Sequence, residues 1–178
     1  PWAPTWGLRL HFTLDGLALL YVLLATGIGL AVLIYSRRYI PLHLAHQKRP
    51  QSDAVPFTAL ILLFMGSMVG LVMAQDLILI FLFWDVTAIA SYFLIGFDRQ
   101  EESSRLAALM AFLVTGISAV TFLIGAIILF GVYGTFSLPE IIDRSQAGPI
   151  VTIATALMAL AGLAKSAQGP LHFWLPRA

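Results

Sequence analysis

Five apolar stretches decide what this chain can fold into: Gly16–Tyr35, Pro56–Ala74, Leu77–Phe97, Leu106–Tyr133 and Pro149–Gln168. Each is about 20 residues or longer, enough to cross the ~30 Å hydrocarbon core of a bilayer as a helix. The 178 residues are 60% hydrophobic and 11% charged. A soluble domain of ~150 residues buries only about 70% of the surface its unfolded chain exposes, so a fold of this length cannot hide that much apolar area from water. The expected fold is all-α, a polytopic transmembrane bundle of five spans in the partial domain 1–178. A net charge of +1 is too small for a nucleic-acid partner. Without cysteine, disulfides, thiolate zinc sites and iron–sulfur ligation are excluded. The chain opens at Pro1 without an initiator Met and stops at Ala178 just after a Leu-Pro. It reads as a fragment of a longer membrane protein.

Charge placement supports the spans. Among 10 Lys+Arg and 9 Asp+Glu, only Asp85 and Lys165 fall inside an apolar stretch. Asp15 is placed to cap the first helix, with Leu14 in the staple position. Pro56 suits the first turn of the second helix, and Gln75-Asp76 makes a very short turn before the third. Asp98 with Glu101, and Ser137 with Glu140, are spaced as capping boxes. The second box predicts a short helix through Ile141, Ile142 and Asp143 on the membrane surface. Arg37, Arg38, Lys48, Arg49, Arg99, Arg105 and Arg177 fall on one side of such a bundle, and Arg9 and Arg144 on the other. That bias predicts a cytoplasmic 36–55 loop and an outward-facing start of the chain in a bacterial-type inner or plasma membrane. Gly66 and Gly70 form a GxxxG pattern suited to close helix approach.

The two embedded charges are the functional candidates. Asp85 lies in Phe83-Trp84-Asp85-Val86-Thr87, roughly 12 Å into its span at 1.5 Å per residue. A carboxylate at that depth stays ionised only beside a cation or water. Lys165 is the one fixed cation inside a span, and Gly169-Pro170 follows it closely. Proline interrupts a helix, and broken helices at membrane depth recur at ion sites. The last span is therefore expected to break near Gly169-Pro170, with the chain continuing within the membrane. The plain alternatives are a Lys165 that snorkels to the surface and an Asp85 that is merely hydrogen-bonded. Opposite signs favour a proton-transfer pair: approach holds the proton on the lysine, and separation favours its release.

Three stretches carry a resemblance: Phe64-Met65-Gly66-Ser67-Met68-Val69-Gly70; Phe83-Trp84-Asp85 running to Tyr92-Phe93-Leu94-Ile95-Gly96-Phe97; and Ala164-Lys165-Ser166-Ala167-Gln168-Gly169-Pro170-Leu171-His172-Phe173-Trp174-Leu175-Pro176. The chain resembles the proton-translocating antiporter-type subunits shared by respiratory complex I (chain 5-like) and multisubunit Mrp-type cation/proton antiporters. It is most similar to the large A-type chain of the latter. The resemblance implies inverted five-helix repeats with one broken helix each, and this chain corresponds to the third to seventh helices. It places the family's gating ion pair on Asp85 and Lys165. The family usually has Glu where this chain has Asp85. A second charge pair carried by some complex I members is replaced here by Thr115-Gly116-Ile117-Ser118-Ala119.

Other candidates are weaker. Thr115, Ser118, Thr121 and Gly125 fall near one helical face, as helix-packing positions or the wall of a water path. His43 and His46 are three apart, but without a third ligand they read as a solvated basic loop, not a metal site. His172, beside the break, is a candidate proton relay. Trp2, Trp6 and Trp174 suit interface anchoring. No phosphate loop, dinucleotide fingerprint or nucleophile triad is present, so neither a cofactor nor a metal is expected on the chain. The expected function is proton translocation in a cation/proton antiporter, through Asp85 and Lys165 with His172 as relay. A membrane-arm subunit of an NADH:quinone oxidoreductase or related hydrogenase complex is the alternative, and a non-transporting scaffold subunit is an alternative of another class. Partners are other membrane subunits, the bilayer, protons, and sodium or potassium.

Overall fold

The computed structural model describes residues 9–178. Its helices are α1 (Gly16–His46), α2 (Ala54–Met73), α3 (Leu77–Ile95), α4 (Glu102–Tyr133), the short α5 (Leu138–Arg144) and α6 (Pro149–Lys165). Four of them, α1 to α4, are long and apolar enough to cross a membrane, and α6 is a shorter apolar helix. The fold is an all-α, multi-pass membrane bundle. Trp2 and Trp6 lie outside the described residues.

Local chemistry explains most boundaries. Asp15 accepts a hydrogen bond from the Ala18 backbone N–H at 2.7 Å and starts α1. That helix runs past Tyr35 and through Pro41 to His46, so most of the expected 36–55 loop is helix. At 1.5 Å per residue its 31 residues extend roughly 46 Å, leaving a polar end beyond the hydrocarbon core. Proline is tolerated there because water can serve the carbonyl that loses its partner. The Pro41 carbonyl itself accepts from the Gln51 side chain at 3.0 Å. Asp76 caps α3, accepting from Ile78 and Leu79 N–H at 3.0 and 3.3 Å. α4 ends at Gly134, whose φ of +69° is a left-handed cap that glycine adopts without a Cβ penalty. α6 opens with Pro149 and ends at Lys165, short of Gln168, where Ala167 turns into positive φ.

Neither expected capping box forms. Glu101 caps α4 without a side-chain bond, because Asp98 is engaged by His43 and Arg49 instead. Ser137 precedes α5 without a side-chain cap, and Glu140 pairs with Arg9 at 2.7 Å. In both places a tertiary charge partner displaces the local cap. The Thr135 hydroxyl, together with Arg9, holds the Glu140 carboxyl below its ordinary value of 4.5.

This end of the bundle is closed by backbone pairing. The Thr13 N–H donates to the Met73 carbonyl and the Gln75 N–H to the His11 carbonyl. Leu77 N–H donates to Phe136 and Leu138 N–H to Gln75, all four bonds measuring 2.8–2.9 Å. The short connection between α2 and α3 is thus clasped between the segments that lead into α1 and α5.

Consecutive helices α1 to α4 pack side by side, and α4 also packs along α6 and touches α5. The main core cluster joins Leu77 of α3, Phe122, Ala126 and Leu129 of α4, Ile141 of α5, and Ala154 and Ala161 of α6. Small residues let α4 and α6 approach closely: a Cβ on Gly125 would stand 2.7 Å from Met158 Cγ and 2.8 Å from the Ala154 carbonyl oxygen. The GxxxG pattern works at one glycine only. Gly70 abuts the Phe83 ring, whereas Gly66 faces open space.

Candidate functional site

The site begins with Trp84, midway along α3. Its indole stacks on Phe122 of α4 with ring centroids 5.3 Å apart and donates to the Ser118 hydroxyl at 3.4 Å. Thr87, one turn on, is fully buried and its hydroxyl donates to the Trp84 carbonyl at 2.6 Å. Rigid packing from α4 therefore fixes a carbonyl and a hydroxyl side by side.

Lys165, the last residue of α6, reaches into this corner. Its Nζ donates to Thr87 Oγ1 at 2.7 Å and to the Trp84 carbonyl at 3.2 Å, and it lies 5.6 Å from the Trp84 ring centroid. The side chain thus turns towards the middle of α3 and away from the bundle end, which a snorkelling lysine would seek. Asp85, adjacent to Trp84 in the sequence, is half-buried. No ion pair within 4.0 Å joins it to Lys165 among the described residues. The structure brings the two charges into one neighbourhood but holds them apart.

Beyond Lys165 the helix gives way to turns through Leu171–Trp174 and a final 3-10 turn, Leu175–Arg177. This segment folds back on α4 and α6. Trp174 donates its indole N–H to the Ala164 carbonyl at 3.1 Å, so it braces the trailing segment against α6. The same carbonyl also accepts from the Ala167 backbone N–H at 3.2 Å, so the indole reinforces the turn that ends the helix. His172 is exposed and makes no side-chain hydrogen bond to Lys165 or Asp85 among the described residues.

The Thr115, Ser118 and Thr121 hydroxyls of α4 turn back on their own helix. Thr115 and Ser118 are buried, and each donates to a carbonyl of its own helix, Ala111 at 2.7 Å and Thr115 at 2.6 Å. A cavity of about 340 Å³ lies between α4, α6 and the trailing segment, touching Ser118, Thr121 and Ala164.

A charged cluster at the end of the bundle away from the backbone clasp was not legible in the sequence. His43 lies on helix and contacts Asp98 through Nε2 at 3.0 Å, so it is not part of a solvated loop. Arg49 donates to Asp53 at 2.8 Å, to the Phe97 carbonyl at 2.9 Å and to Asp98 at 3.4 Å. Its guanidinium also lies 4.5 Å from the Phe97 ring centroid. No group of three or more potential metal ligands exists among the described residues. The cluster ties the end of α1 to the α3–α4 connection. Asp98→Asn is expected to weaken it by about 1.5 kcal/mol, the lower end for hydrogen bonds to charged groups. Hydrogen exchange of residues 43–53 in the full-length protein should accelerate, and unchanged exchange would count against this role.

Comparison with known proteins places this geometry. Residues 74–178 match the family model described as NADH:quinone oxidoreductase/Mrp antiporter, TM. Residues 2–49 match the model for the chain 5 N-terminus of NADH-ubiquinone oxidoreductase (complex I). The A/B subunit of a probable K(+)/H(+) antiporter from Rhizobium meliloti is 38% identical over 99% of this chain and 17% of its own length. The A subunit of the Na(+)/H(+) antiporter from Alkalihalophilus pseudofirmus is 36% identical over 100% of this chain and 22% of its own. Among solved structures, a chain of respiratory complex I from Thermus thermophilus superimposes with a TM-score of 0.72 at 25% identity, over 98% of this chain and 37% of that one. The chain spans about a fifth of the length of the curated relatives it matches.

Proposed function

Because the chain belongs to the NADH:quinone oxidoreductase/Mrp antiporter transmembrane family, we propose that it is part of a proton-translocating subunit of a multisubunit cation/proton antiporter. Protons pass through Lys165, assisted by the charge of Asp85. The observation that carries this reading is the direction of Lys165. The one cation inside an apolar stretch is drawn from the end of α6 to the middle of α3, beside the one embedded acid. Holding a cation in that setting is costly, and a merely structural lysine has a cheaper position at the surface. His172, exposed beyond α6, hands protons to water at that end. The exchanged cation is sodium or potassium, and the partners are other membrane subunits. The lysine and arginine bias supports a cytoplasmic 36–55 segment and an outward-facing start of the chain.

A second reading, a membrane-arm subunit of an NADH:quinone oxidoreductase, is favoured by the likeness to the complex I chain. The antiporter reading is preferred because relatives spanning the whole of this chain are A-type antiporter subunits. Proton flux driven by a cation gradient, in proteoliposomes of the complete complex, tests the proposal. Asp85→Ala should slow that flux by at least about tenfold. That is the effect of about one pKa unit on the lysine, roughly 1.4 kcal/mol, the lower end of what a neighbouring opposite charge supplies. Wild-type flux in both Asp85→Ala and Lys165→Ala complexes would reduce the chain to a scaffold.

A further inference from the structure

We propose that Thr87 is a positioning residue, which holds the Lys165 side chain off Asp85 and accommodates it in both its charged and its neutral form. The inference rests on the reading of Lys165 as a proton carrier. In the structure the ammonium contacts Thr87 Oγ1 at 2.7 Å and the Trp84 carbonyl at 3.2 Å, and no oxygen of Asp85 within 4.0 Å. Positions two apart on a helix do not share a face. One ammonium therefore does not serve Thr87 and Asp85 together, and the two contacts are alternatives.

The hydroxyl is suited to this task in a way a carboxylate is not. A hydroxyl carries one donor and two acceptor sites. Towards the ammonium, Thr87 Oγ1 accepts while its own proton goes to the Trp84 carbonyl at 2.6 Å. Once the lysine has lost its proton, the same O–H rotates and donates to the amine lone pair. A carboxylate offers the neutral amine only acceptor oxygens, so contact with Asp85 favours the charged form alone. The anchor is rigid: Thr87 is fully buried, and Trp84 is fixed by its stack on Phe122 and its bond to Ser118.

The charged and titratable surroundings are few. α3 contributes Asp85. α4 contributes no ionisable residue between Arg105 and Tyr133, only the hydroxyls of Thr115, Ser118 and Thr121. The segment after α6 contributes the exposed His172 and Arg177.

The test is the pH profile of proton flux in proteoliposomes of the complete complex, comparing wild type with Thr87→Val, Thr87→Ser and Lys165→Ala. Thr87→Val keeps the shape and removes the hydroxyl. The ammonium is then free to move to Asp85, whose charge favours the protonated form. The profile should therefore move to more alkaline pH by about one unit, the lower end of the shift an adjacent opposite charge produces, with maximal flux reduced several-fold. Thr87→Ser should restore both. A wild-type profile in Thr87→Val overturns the role of Thr87, and so does a Thr87→Ser that behaves like Thr87→Val. If Thr87→Val does not assemble, Thr87→Cys takes its place, since a thiol is a weak donor and acceptor. The same alkaline shift is expected of it, and its absence overturns the proposal. Lys165→Ala separates the two levels. Wild-type flux there removes the carrier reading itself, whereas lost flux there with an unshifted Thr87→Val removes only the inference about Thr87.

Discussion

Lys165→Ala is expected to reduce proton flux through the complete complex by at least about 100-fold, the lower end of what a positioned proton-transfer group contributes. The substitution removes the only cation inside an apolar stretch and leaves the Thr87 hydroxyl and the Trp84 carbonyl facing a gap where the ammonium stood. Lys165→Arg should fail almost as badly. A guanidinium stays protonated at any working pH, so it fills the corner and keeps the charge without releasing a proton. Flux measured with a pH-sensitive dye in proteoliposomes distinguishes these outcomes. A freely transporting arginine variant would mean that charge, and not proton exchange, is what the position supplies.

The second large effect is on packing. Gly125→Leu should destabilise the bundle by about 3 kcal/mol, the upper part of the usual range for overpacking. The new side chain meets Met158 and the Ala154 carbonyl oxygen, both closer than 3.0 Å to its Cβ. Methionine can bend away, but a helix backbone cannot, so α4 and α6 must separate. That separation would also draw Lys165 from its corner on α3. Gly66→Leu is the matched control, because nothing lies within 4 Å of a Cβ there. Thermal unfolding of the purified full-length protein should show a lowered midpoint for Gly125→Leu and little change for Gly66→Leu. Equal midpoints would mean that the α4–α6 approach is looser than its geometry.

These two positions illustrate how much is legible in the sequence. Spans and embedded charges follow from hydropathy, and a lone charge in an apolar run needs no tertiary information to stand out. Asp15 is legible because its cap is local. Gly125 is legible as a packing position because small residues recur on its helical face. What the sequence hides is set by contacts distant along the chain. Asp98 and Glu140 have the spacing of capping boxes, yet His43, Arg49 and Arg9 claim their carboxylates. The basic stretch after Tyr35 points to a loop at His43, whereas the helix continues through Pro41 to His46. Thr87 carries no signal at all. A threonine in an apolar helix is ordinary until a lysine from another helix is found bonded to it.

The central claim is that Asp85 and Lys165 act as one unit in moving protons, and a double-variant cycle on proton flux addresses it most directly. Asp85→Asn, Lys165→Met and the combined variant would be compared in proteoliposomes of the complete complex. If the two charges work together, removing both costs no more than removing Lys165 alone, because Asp85 has nothing left to influence. Losses that multiply in the double variant, or wild-type flux in either single variant, would contradict the account.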